Sequence, residues 1–248
     1  MRRQLTAFLM AWGSYCAIPC PIKRWDDEAR GWVLVYLPVI GLIIGALWML
    51  VIWGMGALGF PRFLAAAVST ALPFLLSGFF HLDGFMDCCD AILSRRDLER
   101  RQEILKDSHV GSFAVICVAL LFLGEFAVFC DLDAPAKRWA FLLLPAAVRC
   151  ASALAVERLA PMRTSQYAGG FTARKTRAQT VWLIVIFAAV IAAALLLSED
   201  AALACAVGAL CAALCAILCA RNLGGMSGDI AGCALTVGEL AGLLSLLI

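Results

Sequence analysis

The chain has 248 residues, of which 63% are hydrophobic and only 15% charged, with a formal net charge of +2 and a mean hydropathy of +0.92. Too few polar side chains remain to coat a water-soluble globule, and the apolar content is far too high for a disordered chain. The small net charge gives no electrostatic reason to bind nucleic acid, so we expect an all-α polytopic helical bundle surrounded by membrane lipid, a single integral membrane domain over residues 1–248.

In chain order, Arg2 and Arg3 precede a short apolar run over 5–18. It resembles the first two regions of a signal peptide, but no small-x-small cleavage site follows it. The run is too short to span a bilayer, which predicts an interfacial or partly buried helix kept in the mature protein. Seven stretches have the length and apolarity of a membrane span: 32–58, 62–80, 111–130, 138–157, 180–198, 201–220 and 230–248. The last carries Glu239 at its middle and is the weakest of them. No alternating pattern suggests a membrane barrel.

Lysine and arginine are distributed unevenly among the connections. Five precede the first span, five lie between the second and third, five between the fourth and fifth, and Arg221 between the sixth and seventh. These sixteen share one side of an alternating topology, against Arg62, Lys137 and Arg138 on the other. The bias predicts a cytoplasmic N-terminus and cytoplasmic long loops. Chemistry is expected there, because the opposite connections are too short to build a site.

Twelve cysteines are present, and Cys211, Cys215 and Cys219 recur at helical spacing. With no C-x-x-C pair and only two histidines, packing as small apolar residues is preferred to metal binding.

The most informative segment is 78–111, GFFHLDGFMDCCDAILSRRDLERRQEILKDSHVG. Asp83, Asp87 and Asp90 are spaced i, i+4, i+7 and fall on one helical stripe. Three like charges at a membrane boundary repel and resist desolvation. A hard divalent cation such as Mg²⁺ would offset both effects. A solvated helix start explains Asp83 but not a stripe running two turns among Phe, Met and Cys. His81 stands as base, ligand or structural imidazole. The Arg95, Arg96, Arg100 and Arg101 run suits lipid phosphate and topology, and the Lys106–Asp107 pair suits a helix cap or a phosphate. A second loop, RNLGGMSGD, carries Gly224, Gly225, Ser227, Gly228 and Asp229. Its backbone amides and the following helix start suit phosphate, and Asp229 adds a carboxylate. The third basic loop, 161–177, mixes Arg163, Ser165, Tyr167 and glycines, as an organic ligand site or an ordinary loop would. Arg149 and Glu239 are intramembrane charges expected to face the bundle interior, paired with each other or, for Arg149, with Glu125.

Taken together, GFFHLDGFMDCCDAI, LKDSHVG, GGMSGD and the late GEL resemble the cobalamin synthase (adenosylcobinamide-GDP ribazoletransferase) family, in the right order and over nearly the whole chain. Ile18-Pro19-Cys20-Pro21 and Tyr36–Gly41 look like its N-terminal signatures. The resemblance implies an inner-membrane enzyme that uses Mg²⁺ and joins adenosylcobinamide-GDP to α-ribazole or its 5′-phosphate, releasing GMP. It carries over His81, Asp83, Asp87, Asp90, Lys106, Asp107 and Asp229 as site residues, with His81 or Asp229 as base. Ala91 stands where the family commonly has glycine, Ser227 replaces threonine, and Met226 replaces a polar residue. The third loop matches loosely. A CDP-alcohol phosphotransferase is the nearest rival, but Asp87 occupies its motif's alanine position and the second aspartate pair is absent. A transporter using Arg149 and Glu239 is a further alternative, disfavoured by the absence of an inverted repeat. A homo-oligomer is left open.

Overall fold

The computed structural model describes residues 2–20, 22, 24–162 and 176–248. Among them are ten α-helices and no named strand: α1 (Arg2–Tyr15), α2 (Val33–Ala57), α3 (Arg62–Leu76), α4 (Phe80–Leu93), α5 (Leu98–Ile104), α6 (Ser112–Asp131), α7 (Arg138–Arg158), α8 (Arg177–Leu197), α9 (Glu199–Leu223) and α10 (Gly228–Leu244). Six helices (α2, α6, α7, α8, α9 and α10) are long and apolar enough to cross a membrane, and the bent pair of α3 and α4 brings the number to seven when counted as one span. The chain is a polytopic helical membrane protein.

The expected second span, 62–80, is not a single straight helix. The α3 helix ends at Leu76, and α4 leaves it at 93°. At about 1.5 Å per residue, the 15 residues of α3 reach roughly 22 Å, short of a bilayer core. Gly78 and Phe79 both sit in the left-handed region, at φ 63° and 60°. Glycine tolerates that region; for Phe79 it costs about 1–2 kcal/mol. The Ala17 amide donates to the Leu76 carbonyl at 2.7 Å, tying the corner to the chain that leaves α1. The N-terminal run forms α1, which packs on α2 through Phe8 and Tyr36. The last span is continuous through Glu239 and closes with a 3₁₀ turn over Ser245–Leu247.

The centre of the bundle is α7, flanked by α2, α8, α9 and α10. Glycine sets the closest crossings. A Cβ on Gly41 would lie 2.7 Å from the Pro145 carbonyl oxygen, and one on Gly45 would strike that of Leu142. Between α9 and α10, Gly208 and Gly238 each face the other's carbonyl oxygen, at 2.9 and 2.7 Å from a built Cβ. Such approach strengthens dispersion contact where lipid offers no hydrophobic gradient between helices. Leu120, Leu123, Leu195, Leu196 and Leu210 remain exposed on α6, α8 and α9, as a lipid-facing belt requires.

The interior charges pair. Arg149 on α7 donates to Glu239 Oε1 on α10 at 2.7 Å, with both side chains buried. Arg149 also donates to the Pro145 carbonyl at 3.0 Å. Glu125 on α6 is buried within electrostatic reach of Glu239, so the partner of Arg149 is Glu239.

Candidate functional site

Three connections meet at one end of the bundle: the exit from α7, the α9–α10 loop and the α5 segment. The Met162 amide donates to the Met226 carbonyl at 2.9 Å, and the Met226 amide to that of Ala160 at 2.8 Å. These bonds join the α7 exit to the α9–α10 loop. The α5 helix closes on the same loop, with Gln102 Nε2 donating to the Leu223 carbonyl at 2.8 Å and Arg101 donating to Asn222 Oδ1 at 3.3 Å. At the opposite end, Lys137 pairs with Asp200 at 2.8 Å and Arg62 with Asp131 at 3.9 Å.

The α4 helix carries the three acids, and its crossing with α10 adds a fourth. A Cβ on Gly84 would lie 2.6 Å from the Asp229 carbonyl oxygen, and one on Gly232 would lie 2.9 Å from that of His81. Two glycines therefore set the backbones of α4 and α10 in direct contact. The crossing delivers Asp229 to the stripe: Asp87 lies in the field of Asp83, Asp229 and Asp90, and Asp229 in that of Asp83. Asp83 is exposed, while Asp87 and Asp229 are half-buried. These carboxylates share one field with no cation among its main contributors, and their oxygens are of the hard-donor type a divalent ion takes. In chemistry they suit Mg²⁺; among the described residues the ligand atoms that converge within 4.8 Å of one another are the thiols of Cys215, Cys219 and Cys233.

Asp90 is employed differently. Its Oδ2 accepts from the Gly111 amide at 2.7 Å and its Oδ1 from the Ala114 amide at 2.9 Å. It thus satisfies the unpaired donors at the start of α6 from another helix, complementing the positive end of the helix dipole. Gly111 has no room for a side chain there, since a Cβ would sit 2.5 Å from Asp90 Oδ1.

His81 is buried, and two residues of helix turn it about 200° away from Asp83. Its ring faces away from the acids. Tyr15 stacks on it with centroids 5.9 Å apart and an interplanar angle of 15°.

The glycine loop also divides its labour. The amides of Gly224 and Gly225 both donate to the Ala220 carbonyl and close the end of α9. Their positive φ values, 79° and 143°, build the turn. Gly225 further lies against Met162, whose amide nitrogen is 2.6 Å from a built Cβ. The anion-binding potential lies one step later. Ser227 caps α10, accepting from the Ile230 amide at 3.3 Å, and its hydroxyl donates to Asp229 Oδ2 at 3.2 Å. Gly228 is the first residue of α10, at its positive end.

Lys106 and Asp107 are exposed on the short connection from α5 to α6. His109 hydrogen-bonds Asp107 Oδ1 through Nδ1 at 2.6 Å and through its amide at 3.0 Å. Those bonds hold the Asp107 carboxyl below its ordinary range and push the His109 imidazole up. Sequence reading gave His109 no task; its spacing two residues beyond an aspartate was the available signal. Gly232 was also missed, although its place four residues after Gly228 reads as a small-xxx-small crossing. Arg163 and Tyr167 lie outside the described residues.

The thiols cluster more than the α9 stripe implied. Cys215 Sγ lies 3.8 Å from Cys219 Sγ and 3.9 Å from that of Cys233 on α10, and Cys88 on α4 joins them. These are ordinary sulfur contact distances. Four thiolates here would add negative charge beside four carboxylates, so packing between helices accounts for the cluster.

The family model described as cobalamin-5-phosphate synthase matches residues 7–247. A protein of Clostridium perfringens named adenosylcobinamide-GDP ribazoletransferase is 36% identical over 242 residues, covering 97% of this chain and 96% of its own. Proteins of the same name from Clostridium botulinum and Shigella flexneri are 35% and 33% identical, covering 99% and 93% of this chain and 98% and 94% of their own. No solved structure matches. With its motifs in order from end to end and its acids drawn together across the α4–α10 crossing, the chain belongs to the cobalamin-5-phosphate synthase family.

Proposed function

We propose that the chain is an adenosylcobinamide-GDP ribazoletransferase working at the cytoplasmic face of the inner membrane. The observation that carries this reading is the delivery of Asp229 to the Asp83–Asp87 stripe, at the end of the bundle where the α7 exit meets the α9–α10 loop. Asp83 and Asp87 would hold Mg²⁺, with Asp229 beside them. When bound, the ion neutralises charge on the pyrophosphate and on the departing GMP.

The protein's own residues bind, orient and move one proton. Ser227 and Gly228 present the start of α10 to a phosphate oxygen. Lys106 offers a mobile positive charge to the guanosine-side phosphate. Asp229 takes the proton from the ribose 3′-hydroxyl of α-ribazole as that oxygen attacks the cobinamide-side phosphorus in line. The bond from phosphorus to the GMP oxygen breaks, and GMP leaves with its bonding electrons. His81 is the weaker candidate for base, because its ring turns away from the acids. Asp90 holds α6 in place.

The test is turnover by the detergent-solubilised protein given adenosylcobinamide-GDP, α-ribazole and Mg²⁺. Stoichiometric GMP and cobalamin, abolished by chelator and restored by excess Mg²⁺, are expected. Folded protein that releases neither product from authentic substrates would sink the reading.

A further inference from the structure

An apolar slot lies on the far side of the α4–α10 crossing from the acids. Tyr15 of α1, Leu34 and Leu37 of α2, Phe80 and His81 of α4 and Val156 of α7 form its walls. Ser227 and Gly228, at the start of α10, line it as well. Among the described residues on its walls, one buried side chain lacks a hydrogen-bond partner. His81 is 5% exposed, and among the described residues neither ring nitrogen has a hydrogen-bond partner. A buried imidazole left in this way is penalised unless something polar reaches it. Among the hydroxyls on the wall, that of Ser152 already donates to the Ala231 carbonyl at 2.9 Å and that of Ser227 to Asp229 Oδ2 at 3.2 Å.

We infer that this slot seats the aromatic base of the nucleoside acceptor, with a His81 ring nitrogen bonded to the base's free ring nitrogen. The inference rests on the transferase reading above and assigns one of its substrates a place. The slot suits a flat, mainly apolar bicyclic heterocycle such as a benzimidazole. Its walls are aliphatic and aromatic, and its unpaired polar group is a single imidazole. Guanine would bury several donors and acceptors against those walls without partners, and a corrin ring is too broad. The placement also orders the nucleoside. With the base beside His81, the ribose passes Ser227 and Gly228 and reaches Asp229, one residue on, which Ser227 already contacts at 3.2 Å. The crossing thus separates two substrates, base on one side and Mg²⁺–pyrophosphate on the other, with Asp229 between them.

The experiment compares wild type with Leu37→Trp, which fills the slot, measuring KM for each substrate in turn. KM for α-ribazole should rise tenfold or more, while KM for adenosylcobinamide-GDP should stay within twofold. Free 5,6-dimethylbenzimidazole on wild type supplies a measurement independent of how that variant folds. It should inhibit competitively against α-ribazole and not against adenosylcobinamide-GDP. Removing both ring methyls from the nucleoside should lower kcat/KM about tenfold, as loss of two buried carbons requires. Competition with adenosylcobinamide-GDP instead, or an unchanged α-ribazole KM in a folded Leu37→Trp, would overturn the slot assignment and leave the transferase reading standing. Wild type that turns over neither substrate overturns both.

Discussion

Asp83, Asp87 and Asp90 carry the same charge on successive turns of one helix, yet their surroundings set different tasks. Asp87 lies in the field of three other carboxylates, whereas both oxygens of Asp90 accept backbone amides. Replacing Asp87 by Ala removes a metal donor and should abolish turnover, while thermal stability and membrane insertion stay unchanged. Asp90→Ala should instead lower stability by about 1–2 kcal/mol through loss of the α6 cap, read as a drop in the thermal transition in detergent. Equal stability in the two variants would show that the tasks have been wrongly divided. The stripe was legible at sequence level because helical periodicity follows from spacing alone. The cap on α6 was not, since it joins residues 21 and 24 positions apart through a chain reversal.

At the scale of elements, the site depends on how closely α4 and α10 approach. Gly84 and Gly232 leave no room for a methyl group against the facing backbone. Gly84→Ala must push Asp229 away from Asp87, and even a shift of about 1 Å can cost 10²-fold in rate. We expect that loss with little change in expression or oligomeric state; a fully active Gly84→Ala enzyme would remove the crossing from the account. The Arg149–Glu239 pair fixes α7 against α10. Breaking it with Arg149→Met strands a buried carboxylate and should destabilise by about 3–5 kcal/mol, whereas Arg149→Met with Glu239→Leu should recover most of that. If the double variant is no more stable than the single one by thermal unfolding, the pair does more than balance charge. That Arg149 and Glu239 face inward followed from the cost of charge in lipid. The choice of Glu239 over Glu125 required the rotation of three helices.

For the whole molecule, the unequal distribution of lysine and arginine predicts which end faces the cytoplasm. The structure brings α5, the α7 exit and the α9–α10 loop to a single end, so one labelling experiment orients the entire site. In right-side-out cells, a membrane-impermeant maleimide should modify a cysteine introduced at Ala136 and spare one at Asp97, with the reverse in inverted vesicles. Labelling from outside at Asp97 and not at Ala136 would reverse the assigned orientation.

From the sequence alone came the membrane class, the number and approximate ends of most spans, the acidic stripe and the glycine loop. Each rests on composition or on a period of a few residues, which local geometry enforces. The 93° corner after α3, the entry of Asp229 into the stripe, the turning of His81 away from it and the use of Gly224 and Gly225 to end α9 depended on tertiary packing. In a bilayer the helices lack a hydrophobic gradient to orient them towards one another. Their rotations are set by contacts between small residues far apart in the chain, such as Gly84 with Asp229 and Gly232 with His81. Those contacts form only in the assembled bundle, and they decide which side of α4 meets the acids and which side encloses the slot.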